Sequence, residues 1–133
     1  MQSTEGQSVI PYNEENQQKA LAEIAEFDAN HGGTDIYTPL TQAKELKSRL
    51  AGDDEDDTIE KRVFVLTDGQ CGQNHQIFNF CRANSTDMQV YSFGLGSGCD
   101  ESLCRGMAES GQGTCSIVPD ESPNLTEIVI KAL

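Results

Sequence analysis

Two residues, Thr34 and Asp68, combine a reactive side-chain type with a setting that could present it. Thr34 stands in "GGTDIYTPL" (32–40), where two glycines precede a hydroxyl and a carboxylate between two helix-like stretches. Asp68 closes "RVFVLTDG" (62–69), four consecutive apolar residues running into a Thr-Asp-Gly turn. A carboxylate and a hydroxyl are hard oxygen donors, the kind that Mg²⁺ accepts together with several retained waters. The glycines ahead of Thr34 would let the backbone turn sharply and bring its hydroxyl close to an ion. Composition alone weighs the other way, because an Asp in a strand-end turn is more often a turn former.

Other chemistry-bearing groups have plainer readings. Cys71 and His75 lie four residues apart beside Asp68, but Gly72-Gln73-Asn74 between them reads as a turn and no third group orients the pair, so catalysis is not expected there. "GLGSG" (94–98) lacks the last glycine of a dinucleotide loop, since Cys99 falls on that position, and reads as a strand-to-helix turn. "GDDEDD" (52–57) lacks the glycine an EF-hand loop needs and reads as a solvated loop. Five cysteines, none in a CxxC spacing, argue against a disulfide framework or a zinc site and for a reducing, cytoplasmic setting. Cys81, Cys104 and Cys115 are expected as small core residues.

Nine Lys plus Arg against 22 Asp plus Glu leave a net charge of −13, which repels nucleic acid and anionic lipid. No signal peptide or long apolar run is present, so membrane insertion is not expected. With 133 residues the chain is expected to form one domain.

The elements that must position Thr34 and Asp68 follow from periodicity. Residues 1–7 read as an extended or disordered start. Asn13 caps a helix with Leu21, Ile24 and Phe27 on one face, ending near Asn30-His31-Gly32. Thr38, with Pro39 behind it, is read as the cap of a second helix through Leu40, Ala43 and Leu50 to Gly52. "RVFVLTDG" reads as a strand covered on both faces, residues 75–83 as a helix burying Ile77, Phe80 and Cys81, and 88–96 as the next strand. Asp100 caps a helix that stops at Gly111, residues 114–118 form a third strand, and Ser122-Pro123 open a last helix with Leu125, Ile128, Val129 and Ala132 on its apolar stripe. Alternating strands and helices predict a parallel sheet with helices on both faces and a ligand site at the carboxyl ends of the strands.

The stretches "SVIPYNEENQQKALAEIAEFDANHGGTDIYTPL", "KRVFVLTDGQ" and "QVYSFGLGSGCDESLCRGMAESGQGTCSIV" occur in the order and spacing of the later part of a von Willebrand factor type A domain. Residues 8–133 resemble that family, especially the form found in inter-alpha-trypsin inhibitor heavy chains and their intracellular relatives. The resemblance implies a Rossmann-like three-layer α/β/α fold with a mostly parallel sheet. It also implies a metal-ion-dependent adhesion site, where Mg²⁺ held by three loops is completed by a carboxylate of a protein ligand. It assigns Thr34 to the second loop and Asp68 to the third, with Asp35, Ile36, Tyr37, Gly69 and Gln70 in the loops that contact the ligand.

The family's first loop, Asp-x-Ser-x-Ser, does not occur in these 133 residues. The first strands of the family fold are expected to be missing, which leaves "RVFVLTDG" with a bare edge open to self-association or complementation. A fragment of a longer protein is favoured over a degenerate domain or one half of a complementing pair. Weak or lost Mg²⁺ binding follows from the two remaining donors. The reading is thus a partial, non-enzymatic protein-interaction domain, cytoplasmic unless it belongs to a larger secreted protein. Two rivals stand beside it: a metal-dependent hydrolase or transferase using Asp68, with Asp100 as the nearest second acid, and a strand-donating structural partner.

Overall fold

The computed structural model describes residues 10–26, 33–46, 60–120 and 125–132. Several sequence expectations lie outside them: the extended start at 1–7, Phe27, the first helix end at 30–32, the second helix beyond 46, the acidic run at 52–57, and the Ser122-Pro123 cap. The described residues fall into two compact units, one with 10–26, 33 and 45–46, the other with 34–44, 60–120 and 125–132.

The first unit contributes helix α1 (Glu14–Ala25). The Asn13 side chain accepts the Asn16 N–H at 2.8 Å, which satisfies one of the free donors at the helix start. Glu14 and Glu15 suit the positive end of the helix. The apolar stripe read from the sequence is present but uncovered: Leu21 is 52% and Ile24 58% exposed, and no residue of α1 is buried.

The second unit contains α2 (Tyr37–Glu45) apart from its last residue, β1 (Lys61–Thr67), α3 (Asn74–Ala83), β2 (Met88–Leu95), α4 (Glu101–Ser110), β3 (Gln112–Val118) and α5 (Leu125–Ala132). The strands form one parallel sheet in the order β1-β2-β3. β1 and β2 pair in register from Lys61 against Met88 to Thr67 against Gly94, and a bulge interrupts the pairing of β2 with β3 between Val90 and Ser92. Among the described residues no strand pairs with the outer edge of β1.

Alternation along the strands sends Val63, Val65, Met88 and Val90 to one face. There they pack with Ile36 and Leu40, with Ile77 and Cys81 of α3, and with Leu103 and Met107 of α4. The fully buried large side chains among them, Leu40, Ile77, Met88, Val90, Leu103 and Met107, each contribute roughly 1.5–3 kcal/mol through loss of contact with water. Ser92 is buried within this face and donates its hydroxyl to the Cys104 carbonyl at 2.6 Å, so its polar group is satisfied. Along β3, Ile128, Lys131 and Ala132 of α5 line a shallow groove with Thr114, Ser116 and Ile117.

Two sequence readings need correction. The four-residue apolar run of β1 is not covered on both faces: Leu66 is 55% exposed, and Val63, Phe64 and Val65 are only half-buried. On the outward face Phe64 stacks on Tyr91 (centroids 5.2 Å apart) and Phe93 (6.0 Å) along the register, while Leu66 stays open to solvent. Thr38 is also not the cap of α2. The helix starts at Tyr37, two residues before the expected Pro39, because the Asp35 carboxylate accepts the Thr38 N–H at 3.1 Å and so supplies the acceptor that the first turn needs.

Candidate functional site

Four segments meet at the carboxyl edge of the sheet: Thr34 ahead of α2, the loop after β1, the loop after β2, and the residues after β3. Gly33 adopts φ +83°, a left-handed turn that glycine accepts without strain, and delivers Thr34 to this edge. The Thr34 hydroxyl then lies against the α-carbon of Gly69, since a Cβ placed on Gly69 would sit 2.7 Å from Thr34 Oγ1. A glycine directly after Asp68 therefore allows the threonine to approach the aspartate's loop. That loop is held from below, where the Gly69 N–H donates to the buried Thr67 hydroxyl at 3.3 Å, and from the side, where the Asp100 N–H donates to the Gly69 carbonyl at 3.4 Å.

The carboxylates at this edge divide into committed and uncommitted groups. Asp35 caps α2, and its hydrogen bonds with the Thr38 side chain and then the Thr38 backbone hold its carboxyl below the usual aspartate range. Asp100 caps α4 through Leu103 N–H at 3.0 Å, and its other oxygen accepts from the Asn74 amide at 3.4 Å. Asp120 accepts the Ser97 N–H at 3.3 Å. Asp68 is exposed and, among the described residues, its carboxylate takes no hydrogen bond or ion pair; the same holds for the hydroxyl of exposed Thr34.

The remaining loop residues expected to meet a ligand have divided roles. Ile36 is buried in the core, and Tyr37 is half-buried with its ring edge-on to Phe80 at 5.7 Å, so both side chains serve packing. Gly69 is half-buried against Thr34 and Gln70 is exposed, both next to Asp68. Sequence reasoning missed Asn74, which braces Asp100 with its amide while its buried Oδ1 has no partner among the described residues. Only the tertiary fold brings Asn74 at the head of α3 to Asp100 at the head of α4.

Chemically the edge offers two oxygen donors, suited in type to a hard divalent cation. Among the described residues no cluster of three or more His, Cys, Asp and Glu could hold a metal by itself. Cys71 is packed in the core, whereas His75 is exposed on α3. Burial pushes the thiols of Cys81 and Cys104 up to about 11, so they stay protonated near neutrality. No described helix is long and apolar enough to cross a membrane.

A family profile for the von Willebrand factor type A domain matches residues 5–117. A von Willebrand factor A domain-containing protein of Dictyostelium discoideum is 28% identical over 122 residues, covering 92% of this chain and 12% of that protein. Von Willebrand factor A domain-containing protein 5A of Rattus norvegicus is 28% identical over 109 residues, covering 82% of this chain and 12% of that protein, and the Homo sapiens protein of the same name is also 28% identical over 109 residues. The chain thus spans about one-eighth of the length of these relatives. No solved structure matches. Parallel strands linked by helices, a threonine loop meeting a strand-end Asp-Gly, and the match across most of the sequence together show that this chain belongs to the von Willebrand factor type A family of protein-interaction domains.

Proposed function

We propose that this domain binds a protein ligand at the carboxyl edge of its sheet, through a divalent cation that Asp68 and Thr34 help to hold. The observation that carries this reading is the contrast among the carboxylates: Asp35, Asp100 and Asp120 each accept a hydrogen bond that holds a loop or helix, while Asp68 is exposed and, among the described residues, neither it nor the Thr34 hydroxyl has a partner. A bound Mg²⁺ would supply a coordination position for a carboxylate of the partner. Asp68 would reach the ion directly or through water, Thr34 would add its hydroxyl, and Gly69 keeps the two loops close. Two donors fill a minority of about six coordination positions, so the affinity is weak. The net charge of −13 raises the local cation concentration and favours partners whose surroundings are basic.

The role is binding rather than turnover. In support of this, each Asp100 oxygen already accepts a hydrogen bond that holds α4 or α3, so Asp100 is poorly placed to serve as the second acid of a metal-dependent hydrolase or transferase. Five free cysteines suit a reducing compartment such as the cytoplasm. A second reading rests on β1, whose outer edge has no partner strand among the described residues and whose Leu66 is 55% exposed; strand pairing with another chain would cover both.

Mn²⁺ relaxation of backbone amide signals tests the metal reading, because this hard paramagnetic ion accepts the same oxygen donors. The account expects selective broadening at Thr34, Gly69 and Gln70, abolished by Asp68→Ala. Broadening centred on the acidic run at 52–57 and unchanged by Asp68→Ala would overturn it.

A further inference from the structure

The connection from β2 into α4 carries two thiols at positions where helices often place a packing pair. Asp100 is the N-cap of α4, so Cys99 immediately precedes the cap and Cys104 is the fourth residue of the helix. Side chains at these positions meet across the first turn and fix the angle at which the chain enters the helix. Here both sulfurs rest on one point of β2: a Cβ added to Gly94 would lie 2.8 Å from Cys99 Sγ and 3.3 Å from Cys104 Sγ. Any side chain at residue 94 would force them off this floor, so the glycine is what lets the two sulfurs converge. Cys104 is anchored, with its N–H donating to the Asp100 carbonyl at 3.0 Å and its own carbonyl accepting from Ser92. Cys99 is half-buried in a surface loop and Cys104 fully buried, so Cys99 is the more accessible residue of the pair.

We propose that Cys99 and Cys104 are a redox modification site, which peroxide converts into a reversible disulfide that staples the entry of α4. In the first step the Cys99 sulfur attacks one oxygen of the peroxide, the O–O bond breaks, and the departing hydroxide takes the thiol proton as water, leaving a sulfenic acid. In the second step the Cys104 sulfur attacks the Cys99 sulfur, the S–S bond forms as the S–O bond breaks, and the departing hydroxide takes the Cys104 proton as a second water. Two electrons pass from the two sulfurs to one peroxide molecule. Burial, with the neighbouring Cys115 and Cys99 thiols after it, keeps Cys104 protonated, so the second step depends on the Cys99 sulfenic acid being held beside it over Gly94 rather than on a ready thiolate. The staple would also stiffen the loop beside the cation edge, because Gly98 lies within van der Waals reach of the Asp68 carbonyl, with a 3.7 Å separation for a Cβ placed there. The proposal stands independently of metal binding.

The test treats the folded chain with hydrogen peroxide, unfolds it in denaturant so that buried thiols are reachable, alkylates the remaining thiols and digests with trypsin, which places both cysteines in the peptide between Arg82 and Arg105. The expected result is a peptide that has lost two hydrogens and takes up no alkylating reagent, and that regains both sites after dithiothreitol. Cys99→Ala, at a half-exposed position, should leave Cys104 fully alkylatable, whereas Cys115→Ala should leave the yield of the oxidised peptide unchanged. Continued alkylation of both thiols, a sulfinic acid confined to Cys99, or a link to Cys115 would each overturn the proposal.

Discussion

The loops after β1 and β2 each carry an aspartate at the same edge of one sheet, and the two aspartates do opposite things. Asp100 is built into the structure: one oxygen caps α4, the other takes the Asn74 amide, and its backbone N–H reaches the Gly69 carbonyl. Asp68 is held in place by its neighbours and holds nothing in return. A carboxylate with both oxygens hydrogen-bonded to the fold contributes to folding, whereas one left open on a braced loop is available to a ligand. The loop after β2 thus stabilises the platform on which the loop after β1 presents its charge.

The largest expected effect lies beneath the committed loop. Leu103→Ala removes a fully buried side chain of α4 next to the cap, and urea denaturation should show a loss of about 2–5 kcal/mol. Next comes the direct comparison of the two acids. Asp100→Ala should cost roughly 1–2 kcal/mol through loss of the cap, with Asp100→Asn recovering most of it because asparagine caps equally well. Asp68→Ala should change stability in chelator by no more than about 0.5 kcal/mol, as for a surface group without partners. Equal losses at the two positions would break the contrast.

A finer probe is Gly69→Ala. Its new methyl would arrive 2.7 Å from Thr34 Oγ1, so the threonine must withdraw. The Mn²⁺-dependent broadening at Thr34 should fall well below that of the unaltered chain, while the denaturation midpoint in chelator moves much less. The smallest effect belongs to Lys44 and Asp87, an exposed pair at 2.7 Å. The hydrogen bond to Lys44, followed by its charge, lowers the Asp87 pKa in the folded state. Its contribution is therefore present above the ordinary aspartate range and lost as pH falls through the depressed value. Lys44→Ala should lower the thermal midpoint slightly near neutrality and have no effect once Asp87 is protonated in both states.

Much of this arrangement was legible in the residues. Asp100 was recognisable as a cap because Leu103, Cys104 and Met107 recur behind it at helical spacing, and all three are buried. Asp68 was recognisable as a strand-end acid because the apolar run of β1 stops at Thr67. The start of α2 was misread because Asp35 and Thr38 are both good caps, and only backbone geometry decides which one accepts the hydrogen bond. The cover over β1 was also misread, since an apolar run states what a strand could bury and not what the fold brings to its second face; Leu66 remains open. The meeting of Thr34 with Gly69, and of Cys99 with Cys104 over Gly94, depends on packing between segments that local periodicity does not encode.

Thermal unfolding of the chain in chelator and in millimolar Mg²⁺, with and without Asp68→Ala, tests the central claim most directly. At ten times the dissociation constant a single site adds roughly 1.4 kcal/mol, on the order of a few degrees for a domain of this size. The account predicts a cooperative transition that Mg²⁺ raises in the unaltered chain and leaves in place in Asp68→Ala. No shift at any Mg²⁺ concentration, or the same shift in both proteins, would contradict it.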